Sequence, residues 1–173
     1  MTKQIPSFTQ LAMASVLTLA TAIGVSASAE PLNVQATMVP KEQIRLDFKD
    51  GSGHFVLMVR REGAASGTGL LNEAAIVEFG RHDILPGVSG DPSGYLVATK
   101  GDGNVAYIKW TVRAIFLPGK DGKPELNDNG FWEVVSGTGS FKGLKGAGTL
   151  HIKSANPTDR IFILQGNLVA AQP

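Results

Sequence analysis

Residues 105–117 read VAYIKWTVRAIFL, and their alternation decides the fold class. The even positions, Ala106, Ile108, Trp110, Val112, Ala114 and Phe116, are all apolar. Tyr107, Lys109, Thr111 and Arg113 stand at odd positions. A period of two sustained this far predicts a strand with one buried and one solvated face. Working outward, Gly101-Asp102-Gly103-Asn104 is a tight turn, and Tyr95–Thr99 is the strand before it. Ile84–Gly94 holds two prolines and three glycines and reads as loop. In Leu70–Phe79 the Ala and Glu content suits a short helix, whereas Ile76-Val77-Glu78-Phe79 suits a strand; a strand over Ala75–Phe79 is preferred. Gly63–Gly69 reads as loop, with strands predicted at His54–Arg61, Gln43–Phe48 and Val34–Val39. Downstream, a loop over Pro118–Asn129 leads to strands at Phe131–Val135, Gly148–Lys153 and Ile161–Val169.

Short strands between turn clusters, without long intervening helices, define an all-β chain of roughly eight or nine antiparallel strands. An antiparallel closed β-barrel of about eight strands is the expected architecture, because closure leaves no exposed edges. A two-sheet sandwich is the alternative.

The chain has 173 residues, 16 Lys+Arg against 15 Asp+Glu, and no cysteine. That composition removes disulfides, thiolate nucleophiles and cysteine-ligated metals, and the balanced charge gives no footprint for nucleic acid. Lys3 is the one charged side chain before Glu30. Leu11–Val25 is an apolar run, and Ser26-Ala27-Ser28-Ala29 places small residues before a cleavage point. This order predicts a secretory signal peptide over residues 1–29, cut after Ala29. The apolar run is shorter than a membrane span, so no anchor is expected after cleavage. The remainder, residues 30–173, is read as one barrel domain, periplasmic or secreted.

Residues 136–149, SGTGSFKGLKGAGT, contain five glycines. They fit neither the G-x-x-x-x-G-K-[ST] nor the G-x-G-x-x-G spacing, and strand residues follow where a phosphate site needs a helix. Phe141 and Leu144 are instead expected to turn into a barrel end as an apolar plug. The run Val134-Val135-Ser136-Gly137-Thr138-Gly139-Ser140-Phe141 resembles the strand, Gly-rich turn and aromatic of the allene oxide cyclase and dirigent barrel superfamily. Ser136 stands where that pattern has its first glycine. Gly101-Asp102-Gly103 before a long strand also resembles the cyclase pattern, and the likeness lies mainly in residues 95–152. It implies the fold. No catalytic residue of either family carries over position by position.

Neither a G-x-S-x-G elbow nor an H-E-x-x-H motif occurs. His82, Asp83 and Glu78 offer too few histidines for a metal, so neither a metal nor another cofactor is expected. Arg60-Arg61-Glu62 ends an apolar strand, so one arginine is expected at the core side or the rim, bridged to Glu78 or Glu133. The candidate lumen and rim residues are therefore Trp110, Ile108, Val112, Arg60, Glu78, His82 and Glu133. Trp110 is expected to touch any ligand in the lumen. Two function classes stay open. One is an exported barrel that binds a small apolar molecule, with or without isomerase or cyclase activity. The other is a non-catalytic envelope protein with a packed barrel that binds a protein partner through its surface.

Overall fold

A computed structural model describes Met1 and residues 28–119 and 121–170. The predicted signal segment lies almost entirely outside the described residues. The strands are β1 (Glu30–Asp47), β2 (Phe55–Thr68), β3 (Ala75–Leu85), β4 (Ser89–Gly90), β5 (Ser93–Thr99), β6 (Val105–Pro118), β7 (Pro124–Gly137), β8 (Leu144–Ser154) and β9 (Arg160–Ala170). Every pairing is antiparallel. The two-residue β4 aside, each strand pairs with its sequence neighbour, and β9 returns to β1. The result is a closed eight-stranded up-and-down barrel with β4 as a short extra strand. The closed barrel, and not the sandwich, is the architecture.

β6 alternates as its sequence requires, with Ala106, Ile108, Trp110, Val112 and Ala114 buried and the intervening side chains exposed. In a barrel of this size the inward residues meet across the axis and fill it. Trp110, Trp132, Phe162, Met38, Ile108 and Leu150 are all buried in this packed middle. Trp110 meets Phe162 edge to face at 5.9 Å between ring centroids.

Four stretches differ from the sequence reading, all through strand extension. Val34–Val39 and Gln43–Phe48 belong to one strand, β1, whose register shifts between Pro40 and Glu42. The expected loop at Gly63–Gly69 is strand as far as Thr68, because Ala65 and Gly67 pair with Ala36 and Val34. Ile84–Gly94 contains the end of β3, all of β4 and the start of β5. The expected loop at Pro118–Asn129 is largely the distal part of the β6–β7 hairpin, paired out to Pro118 and Pro124. Cross-strand pairing satisfies the backbone in these polar or Gly-rich stretches, where side-chain composition signals a loop.

The two barrel ends differ. At one, a 3-10 turn at Gly139–Phe141 inserts Phe141, only 2% exposed, while Leu144 packs beside the core. The plug expected from the sequence is present. Gly139 has φ of +55°, and a Cβ there would lie 2.3 Å from Asn104 Oδ1. That same oxygen accepts the Ser140 N–H at 2.8 Å, which ties the plug to the β5–β6 turn. The other end has no such turn, and β1 beyond Met38 pairs with β2 alone.

Candidate functional site

At the unplugged end the inward face changes from apolar to charged. Counting by twos along β3 from Ile76 gives Glu78, Gly80, His82 and Ile84 as inward positions. Along β2 the same count from Val59 gives Arg61, which lies directly opposite Glu78 in the register. Arg61 Nη1 donates to Glu78 Oε2 at 2.8 Å. Both residues are buried, Glu78 completely. His82 Nε2 lies 3.0 Å from Glu78 Oε1 and 3.1 Å from Arg61 Nη1. Protonated Nε2 donates to the carboxylate; bare Nε2 accepts from the guanidinium. Gly80 makes this cluster possible, since a Cβ there would lie 2.3 Å from Glu78 Oε1 and 2.8 Å from His82 Nε2. Removing one member of such a buried pair leaves an uncompensated charge, at a cost of about 3–5 kcal/mol.

Two further charged groups join from the opposite wall. Asp128 is the inward residue two turns of the β7 pleat before Trp132, and it is 2% exposed. Burial pushes its carboxyl up to about 7, against the opposing pull of Arg160 and Arg61. Arg160 precedes Phe162 on the inward side of β9, and burial lowers it from its ordinary value. Its Nη1 donates to the main-chain oxygens of Asn156, Pro157 and Asp159. Among the described residues, Arg61 Nε, Asp128 Oδ1 and, deeper in the barrel, Trp110 Nε1 are buried without a hydrogen-bond partner. Native interiors rarely leave such groups orphaned.

These residues floor a cavity of about 200 Å³. Its apolar walls include Phe55, Leu57, Ile84, Phe116, Leu126 and Ile152. The volume is below the roughly 300–1,000 Å³ usual for drug-sized ligands, so the space suits a one-ring molecule or a short chain. Outside the rim, His54 Nε2 lies 2.6 Å from Asp83 Oδ1 and its ring stacks on Phe48 at 4.0 Å. The His54 hydrogen bond holds the Asp83 carboxyl below its ordinary range, with the Arg81 charge acting in the same direction.

Of the residues singled out in the sequence, Glu78 and His82 come together here. Arg60 does not: it turns outward to Glu42 and Glu62, and its neighbour Arg61 supplies the inward guanidinium. The strand's alternation, shifted by one residue, accounts for the correction. Glu133 is also an outward position on β7. Trp110, Ile108 and Val112 face inward but lie in the packed middle, and none lines the cavity. Trp110 reaches the site only through His82, at 5.8 Å between ring centroids. Sequence reading missed Asp128 and Arg160. Continuing the Trp132 alternation back through the supposed loop identifies Asp128; counting back two from Phe162 identifies Arg160.

No protein-family model matches the chain, and no curated protein matches it. Among solved structures it is similar to the pterocarpan synthase dirigent protein GePTS1, with a TM-score of 0.53 and 11% identity over 93% of this chain and all of that one. A conserved protein of unknown function from Rhodopseudomonas palustris, RPA1785, aligns at TM-score 0.48 and 12% identity over 84% of this chain and 99% of that one. With the plugged, closed eight-stranded architecture, the first of these likenesses establishes a dirigent-like β-barrel fold.

Proposed function

We propose that this protein is an exported barrel that binds a small, mostly apolar molecule in the cavity at its unplugged end. The observation that carries this reading is an apolar-walled cavity over buried polar groups, of which Arg61 Nε and Asp128 Oδ1 lack partners. Apolar walls supply affinity at about 25 cal/mol per Å² buried, and a few convergent polar groups fix orientation. The ligand sits above Trp110 and not beside it, because the middle of the barrel is filled. Export rests on the signal-like residues 1–29, and β1 begins at Glu30, immediately after the expected cleavage point. Asp128, titrating near neutrality, is suited to exchange a proton with a bound molecule, which keeps an isomerase-type reaction within this reading.

Native mass spectrometry of gently purified exported protein tests the proposal. A small-molecule adduct is expected, and Leu126→Trp, which fills the cavity, should abolish it while preserving the β-type far-ultraviolet spectrum. Protein that is always bare, or an adduct that survives Leu126→Trp, would sink the reading. A second reading rests on the outer face of β1, β2 and β3, where Ile44, Met58 and Phe79 line an open groove of about 620 Å³. A protein partner docked there would add a protein-sized mass in the same experiment.

A further inference from the structure

The cavity does not end at its floor. A second hollow of about 380 Å³ lies at its side, between β1 beyond Pro40 and the turn at Pro157–Thr158. Phe55, Leu57, Arg61 and Arg160 line both spaces. The side hollow exists because β1 and β9 part after the Met38–Arg160 pair, whereas β1 continues along β2 to Asp47. Lys41 and Arg45 also line it; Arg45 is bridged to Asp47, and the hollow's carboxylate, Glu42, to Arg60. At the junction the two guanidiniums face Glu78, bridged to Arg61, and Asp128, whose carboxyl is held by burial toward its neutral form. Arg61 spends Nη1 on Glu78 and leaves Nε unpartnered, while among the described residues Arg160 Nη1 donates only to main-chain carbonyls.

We propose that the ligand is an organic anion, a carboxylate on a single ring or short chain, with its apolar part in the cavity and its charge between Arg61 and Arg160. The inference rests on the ligand-binding reading above and adds the ligand's chemical class. A carboxylate placed there accepts from Arg160 and lies beside the Arg61 guanidinium that lines both spaces, a charge-assisted pairing that a neutral analogue cannot match. The cationic side hollow draws the anion in from solvent. Among the described residues the unbridged carboxyl lining either space is Asp128, which burial holds toward its neutral form beside two guanidiniums, so a cationic ligand is disfavoured.

Isothermal titration of the exported protein with 3-phenylpropanoate, 3-phenylpropan-1-ol and 3-phenylpropylamine tests this. The acid is expected to bind at least about tenfold tighter than the alcohol, and the ammonium form weakest. Arg160→Gln should remove most of the acid's advantage over the alcohol, while Arg160→Lys should restore part of it. The far-ultraviolet spectrum and urea unfolding check that each variant is folded. Equal binding of acid and alcohol would overturn the anion assignment and leave the cavity as a binding site. Binding of none of the three would overturn both.

Discussion

At the scale of single residues, Asp128 is a side chain whose environment opposes its charge. It is buried, one carboxylate oxygen has no partner, and its proton is held to about 7. Arg61 on β2, Glu78 and His82 on β3, and Arg160 on β9 are the other charged or titratable groups around the cavity. An acid whose folded pKa lies above its unfolded value keeps its proton in the native state while the unfolded chain releases it. Stability is therefore lost as pH rises from about 4 to about 7, and the loss is complete above that window. Asp128→Asn cannot ionise. Its stability relative to the parent should grow across the same window and level off at about 2–4 kcal/mol above it. Urea unfolding of both proteins at several pH values measures the difference, and a gap independent of pH would show that Asp128 ionises freely.

At the scale of elements, the plugged end and the open end are made by different devices. The plug needs one aromatic side chain and a turn that only glycine makes without strain: Gly139 at φ of +55° sets Phe141 into the core. Phe141→Ala should cost about 3–5 kcal/mol, since the rigid turn, tied to Asn104 by the Ser140 N–H, cannot collapse into the space. Thermal unfolding checks it. A loss well under 1 kcal/mol would mean that Phe141 merely covers the end. The open end needs charge and not bulk: Arg61 and Glu78, opposite each other in the β2–β3 register, hold one another where an apolar pair would close the barrel.

At the scale of the whole molecule, closure is unequal along the seam between first and last strands. Asn33–Ala36 is paired on both edges, to β2 and β9, while β1 beyond Pro40 has β2 alone. Strand segments paired on one side open with less disruption of the core. Hydrogen exchange should find the amides of residues 41–47 less protected than those of 33–36. Uniform protection would show that the seam is held shut in solution, and the side hollow would then not be an entrance.

The sequence by itself determined the all-β class and the plug, because these follow from local patterns; barrel against sandwich was decided by the pairing of β9 with β1. Period-two alternation in Val105–Leu117 and the glycines around Phe141 act over a few residues and are visible as such. Glu78 and His82 were legible as candidates from residue type and closeness in sequence, as a polar cluster with Asp83 and as a partner for an arginine; that both face inward is shown by β3. The tertiary structure alone decided which arginine turns inward, since a one-residue change of register exchanges Arg60 for Arg61 and the neighbouring strand sets that register. It also decided that Trp110 lies beneath the cavity, because the filling of a barrel depends on what every other strand sends to the same level. Asp128 and Arg160 belong to strands distant in sequence from Arg61, and only closure of the barrel brings their charges into one space.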